Sequence, residues 1–272
     1  MLTLHKLWAF YKRDWQLTLT YPLTFLMNLA HSVALLVSFF FIGKLFKGVG
    51  THPALIAYGG DYFQFVLLGI AFSGFMTTVL SSARITTSFE RETGTLETIL
   101  LTPTSFTGIA IGRALGDLML VTGKVAIYLL FGAFFFRIDL SHANWVALLP
   151  TITFTVTSCL GLWMLSAGLF LLTREVSPLE RVLVWGSRLL GGVYFPIAML
   201  PQWLKQVSAC LPLTYTLEAV RRSLIQEASI QAIAQELGAL LVFSVFLLPA
   251  GIFFFHWALN QARRQGSLGF QD

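Results

Sequence analysis

Long apolar runs separated by short polar stretches set the plan of this chain. Apolar residues dominate at about 22–42, 62–82, 107–136, 145–172, 182–200 and 237–259. Runs of this size match the roughly 20 residues of helix that cross a hydrocarbon core about 30 Å thick. In lipid only a helix or a closed barrel satisfies its own backbone groups, and the alternation that marks a barrel strand is absent. The pattern predicts an all-α membrane protein with six transmembrane helices in a single domain, 1–272. The third run is longer than a membrane requires, so its first turns should stand in water. The fifth is interrupted by Gly191-Gly192 and Pro196.

The polar stretches are not all plain connectors. Before the first run, Leu4, Trp8, Tyr11 and Trp15 recur at helical spacing among Lys6, Lys12, Arg13 and Asp14. This predicts an amphipathic interfacial helix over 1–20, not a cleavable signal, which needs a continuous apolar segment. Between the second and third runs, Thr87 and Glu90 have the spacing of a capping box, which starts a helix. Gly94 bends that helix, Leu96, Ile99 and Leu100 give it a small apolar face, and Pro103 ends it. A short helix at the wet end of two spans offers its apolar face to a groove on a partner, while Glu90, Arg91, Glu92 and Glu97 set charge complementarity. The alternative is a solvated connector. The segment 201–236 is too polar to span, yet carries Trp203, Leu204, Leu211, Leu213, Leu217 and Leu224 between breaks at Pro201 and Pro212. It reads as extracellular re-entrant helices between spans five and six, or else as a loop lying on the surface.

Composition narrows the class. The chain has 272 residues, 56% hydrophobic and only 11% charged, where a soluble domain is about a quarter charged. Its net charge of +5 is scattered through the connectors, which argues against a nucleic-acid partner and leaves membrane lipids as the surroundings. Cys159 and Cys210 form neither a disulfide framework nor a metal motif, and the five histidines are isolated. No catalytic constellation is visible, so no enzyme activity is expected. With the amino terminus inside, the cytoplasmic stretches hold ten Lys and Arg residues and the outer ones hold six. Both termini are therefore expected in the cytoplasm.

Three features lie inside the spans. Small residues repeat every four positions at Gly69, Ser73, Thr77 and Ser81, and again at Gly108, Gly112 and Gly116, which suits close helix packing. Arg113 and Asp117 stand one turn apart and can pair. Lys124 and Arg188 lie deeper, where a charge is costly and marks a cavity or a functional site. Facing a central path, either would attract an anionic headgroup or phosphate. Snorkelling, or pairing of Arg188 with Glu175 or Glu180, is the alternative. The triplets Phe39–Phe41, Phe134–Phe136 and Phe253–Phe255 read as lipid-facing bulk.

The run Glu90-Arg91-Glu92-Thr93-Gly94-Thr95-Leu96-Glu97, followed by Leu100, Thr102 and Pro103, resembles the segment between spans two and three of the ABC-2 type transporter permeases. A second match joins Tyr194-Phe195-Pro196, Leu200-Pro201, Trp203-Leu204, Pro212-Leu213-Thr214-Tyr215, Glu218-Ala219 and Arg221. It is similar to that family's broken fifth span and re-entrant helices. The resemblance implies a cytoplasmic coupling helix at about 88–103 that docks on an ATPase subunit through Glu90, Arg91, Glu92, Gly94, Thr95, Leu96, Glu97, Leu100 and Pro103. It implies a translocation path near Lys124, Arg188, Tyr194, Phe195, Pro196 and Tyr215. The chain would then be the permease subunit of an ATP-binding cassette exporter in a bacterial inner membrane, working with a second copy of itself or a similar permease. Its cargo would be an amphipathic small molecule, a lipid or a lipid-linked glycan. No G-x-x-x-x-G-K-[ST] cradle is present, since Gly43-Lys44 and Gly123-Lys124 lack both the first glycine and the final hydroxyl. ATP and magnesium would therefore belong to the partner subunit, with no cofactor on this chain. An ion-driven secondary transporter is the alternative; it predicts inverted repeats, and the broken fifth span has no visible mate. A lipid-processing enzyme would need clustered acid–base groups, and none stands out.

Overall fold

The computed structural model describes residues 22–49, 53–56, 58–92, 106–136, 143–173 and 177–264. Their regular structure is helical throughout: α1 (Pro22–Val49), α2 (Pro53–Ile56), α3 (Tyr62–Glu92), α4 (Phe106–Phe136), α5 (Trp145–Thr173), α6 (Ser177–Leu190), a 3-10 turn (Ile197–Met199), α7 (Gln202–Ala209), α8 (Pro212–Ile225) and α9 (Ala234–Arg264). Among the described residues, four segments are long and apolar enough to cross a membrane: Tyr62–Ala83, Thr107–Phe136, Trp145–Thr173 and Ala234–Ala262. In α1 the described apolar stretch is the shorter Val33–Leu45. The expected interfacial helix at 1–20 lies outside the described residues.

Two expectations need correction. The run 182–200 breaks at Gly191-Gly192 as expected, but it does not continue as a span beyond the break. α6 has 14 residues, about 21 Å of helix, less than the core thickness. Gly192 sits at φ 79°, and the Val193 N–H donates to the Arg188 carbonyl at 3.2 Å. A left-handed glycine with that six-to-one bond is a Schellman stop, so the apolar residues after it fold as turns. The second correction concerns Thr87 and Glu90. They start no helix, because α3 runs unbroken to Glu92.

α3 is the central helix, with 78% of its most apolar window buried, against 28% for α4 and 22% for α9. Phe65, Phe72 and Phe75 on α3 are fully enclosed. Hydroxyls tie the helices where the hydrophobic effect cannot. Trp163 on α5 donates its indole N–H to Ser82 Oγ on α3 at 2.9 Å. Thr155 on α5 meets Thr216 on α8 at 2.9 Å, and Thr157 meets Ser244 on α9 at 2.8 Å. α5 and α9 touch backbone to backbone: a Cβ on Gly251 would stand 2.3 Å from the Gly161 carbonyl oxygen.

The phenylalanine triplets divide between lipid and core. Phe134, Phe135 and Phe253 are exposed, whereas Phe255 is buried. Phe40 packs on Phe136 at 4.8 Å, and Phe63 on Phe136 at 4.4 Å, so these rings join α1, α3 and α4. Lipid-facing bulk thus describes only part of each triplet.

Candidate functional site around a buried arginine

α8 begins with Pro212 at its first turn, where a missing N–H is harmless. Leu213, Leu217, Val220 and Leu224 form its buried face. Arg221 lies on that same face, one turn past Leu217, and is only 2% exposed. A cation so placed needs partners, and it finds backbone. Its Nη2 donates to the Gly192 carbonyl at 2.9 Å, the Phe65 carbonyl at 3.1 Å and, more weakly, the Val193 carbonyl at 3.4 Å. The guanidinium carbon lies 3.4 Å from the Phe65 ring centroid, a stacked cation–π contact.

The geometry depends on Gly69. A Cβ there would meet the Val193 oxygen at 2.3 Å and Arg221 Nη2 at 3.0 Å. A bare backbone one turn after Phe65 leaves that residue's carbonyl open to a second donor. The Schellman stop at Gly192 turns the end of α6 so that its carbonyls face the same cation. Beside them Tyr58 donates its hydroxyl to Glu218 Oε2 at 2.7 Å. Burial, and then the neighbouring Glu218 carboxylate, push the Tyr58 phenol above its ordinary range, so it remains a donor at physiological pH. Arg222 pairs with Glu236 at 2.6 Å. Neither Arg221 nor Arg222 is a free loop charge.

The other sequence-predicted residues fall in separate places. Glu90, Arg91 and Glu92 form the last turn of α3, at the end opposite the Arg221 junction. Gly94, Thr95, Leu96, Glu97, Leu100 and Pro103 lie outside the described residues. Arg188 Nη2 donates to Thr77 Oγ1 at 3.1 Å; its alternative partners, Glu175 and the Glu180 side chain, lie outside what the structure describes. Thr77 belongs to the small-residue stripe of α3, so that stripe faces α6. Tyr194 stacks on Phe39 with centroids 5.3 Å apart. Phe195 is half-buried and Pro196 buried beside it. Tyr215 donates to the Ala209 carbonyl at 3.1 Å and packs on Phe243 at 5.8 Å. Lys124 is exposed on α4, and no hydrogen bond or ion pair holds it among the described residues. No printed contact joins Lys124 to Arg188, Tyr194 or Tyr215.

Sequence reasoning missed Tyr58, Phe65 and Gly69 as members of a site. Glu218 and Arg221 entered only through a family likeness. The available signal was their i, i+3 spacing on a helix whose same face carries Leu217, Val220 and Leu224.

Comparison with known proteins agrees with this architecture. A permease from Escherichia coli K12, named as a probable multidrug ABC transporter permease, YbhR, is 25% identical over 167 residues, which is 61% of this chain and 44% of that protein. Its counterpart in Escherichia coli O157:H7 matches equally. The alignment thus spans less than half the length of these curated relatives. The family model for the ABC-2 type transporter matches residues 5–225. A match over most of the length, on an all-helical chain with helices fit to cross a membrane, makes this protein a member of the ABC-2 type transporter family.

Proposed function

We propose that the chain is the permease subunit of an ATP-binding cassette exporter. The observation that carries this reading is the family match across residues 5–225. The chain holds no phosphate cradle, so ATP and magnesium belong to a separate ATPase subunit. That subunit docks on the segment from Glu90 to Pro103. The continuity of α3 supports this role, because one helix leads from Tyr62 to Glu92. Two such chains, or this one and a similar permease, enclose the path in a bacterial inner membrane with both termini in the cytoplasm.

The cargo is an amphipathic small molecule moved outward, with a lipid or lipid-linked glycan as the wider class. The multidrug name of the relatives supports the first. Arg188, Tyr194, Phe195 and Pro196 sit around the broken end of α6 and Tyr215 on α8, which supports an exit beside them. Lys124 supplies a cation on an otherwise apolar face. ATP binding draws the two ATPases together, and the change in spacing of the docking segments is passed to the spans.

The test is purification of the tagged chain in mild detergent from its native cells, with mass spectrometry of what accompanies it. A stoichiometric P-loop ATPase, lost on Glu97→Lys with Leu100→Asp, is the expected result. Recovery of the chain alone, where other membrane complexes survive, contradicts the reading.

A further inference from the structure

α3 links two distant places. Its last turn holds Glu90–Glu92, and Phe65 stands near its other end, about 40 Å away at 1.5 Å per residue. At that far end Arg221 reaches out of α8 and binds two other elements at once: the Phe65 carbonyl of α3, and the Gly192 and Val193 carbonyls that close α6. The stacked Phe65 ring and the Tyr58–Glu218 bond add two more ties between the α2–α3 corner and α8. α7 belongs to the same cluster, since Ser208 Oγ donates to the Leu190 carbonyl at 2.7 Å and Thr214 Oγ1 donates to the Ser208 carbonyl at 2.7 Å.

We propose that Arg221 is a positioning residue: it fastens α8, and with it α7 and the end of α6, to α3, so that these elements move as one body when α3 is displaced from its Glu92 end. The argument is energetic. Parting α8 from α3 would strip a buried guanidinium of its acceptors and take the Arg221 donor from the Gly192 and Val193 carbonyls, while the Phe65 carbonyl keeps only its bond within α3. Removing one partner of a buried charged contact is among the costliest changes a fold can suffer. A contact of that kind stays closed through a working cycle, and motion is taken up elsewhere. The re-entrant helices are then carried by the rod they are bolted to. The source of the displacement rests on the exporter reading above; the fastening does not.

The test places spin labels at two exposed sites, Ile56 on α2 and Trp203 on α7. The background is a Cys159→Ser, Cys210→Ser chain, diluted with unlabelled chain so that one protomer is read. In the purified complex the distance distribution is expected to be the same without nucleotide and with ATP trapped. Arg221→Met should broaden it and lower transport at least about tenfold, with ATPase turnover kept within about twofold. A variant that merely misfolds would lose both activities together. If Arg221→Met does not accumulate, Phe65→Leu removes the stacked ring more gently and should broaden the same distribution. A wild-type distribution that moves to a new mean on ATP trapping overturns the proposal. So does an unchanged, narrow distribution in Arg221→Met. If no ATPase accompanies the chain, the exporter reading fails, and the nucleotide-free comparison of wild type with Arg221→Met still decides the fastening.

Discussion

The α5–α9 seam and the Arg221 junction are both built where a side chain is missing, but different things fill the space. At the seam Gly161 and Gly251 let two helix backbones touch. The contact is extended, and threonine and serine hydroxyls such as Thr157 and Ser244 brace it. At the junction Gly69 admits a cation, and the neighbouring span ends early so that its carbonyls can face that cation. The seam is a scaffold of the kind that small residues give any pair of spans. The junction accepts the cost of a buried charge and of broken backbone, which membrane proteins tolerate only against protein or a water-filled cavity. The seam can therefore be read as support, and the junction as the place where the fold departs from plain spans for a purpose.

Substitutions that break this contrast should rank by what they disturb. Gly251→Leu forces a side chain into the α5 backbone. A clash with backbone cannot relax cheaply, so a loss of at least about 3 kcal/mol is expected, seen as absence of a monodisperse peak in fluorescence-detected size exclusion. Arg221→Met should cost about 3 kcal/mol through unpaired carbonyls, read as a lowered thermal midpoint in detergent. Arg221→Lys should recover only part, because an ammonium does not stack flat on the Phe65 ring as the guanidinium does. Trp163→Phe removes the bond to Ser82 and should cost about 1 kcal/mol in the same assay.

Tyr58→Phe is a smaller change at the junction, again about 1 kcal/mol. The raised phenol pKa sets its pH behaviour. Tyr58 is neutral both folded and unfolded below the ordinary tyrosine value of about 10, so its contribution should stay flat from pH 6 to 9. It should fall only as pH rises above that value, where the unfolded chain ionises first. Lys124→Met should leave stability within about 0.5 kcal/mol, since nothing described holds that side chain. A large fall in midpoint would show that Lys124 is a structural contact.

The order and starts of most long helices were legible because a hydrophobic run is a direct record of membrane crossing. The predicted starts at 62, 107 and 145 fall within a residue of α3, α4 and α5. The end of α6 at Leu190 was legible in Gly191-Gly192, but the turns that follow it were not. Val193, Ile197 and Met199 keep the sequence apolar past Gly192, and run length cannot see a backbone that turns back on itself. The Thr87–Glu90 spacing misled for a related reason: a capping pattern starts a helix only where the chain is free to begin one, and here α3 continues through it. The junction was hidden because it assembles residues from 58 to 221. Of the predicted path residues, Arg188 and Tyr194 found specific partners in Thr77 and Phe39, while Lys124 stands apart.

The most direct test is reconstitution. The chain would be placed in liposomes with the purified ATPase that accompanies it, and a fluorescent amphipathic cation such as a rhodamine dye would be followed across the bilayer. Movement that requires hydrolysable ATP, persists when ion gradients are collapsed and stops when the ATPase is left out is the predicted result. Movement that follows an imposed ion gradient without the ATPase would contradict the account and make the chain a secondary transporter.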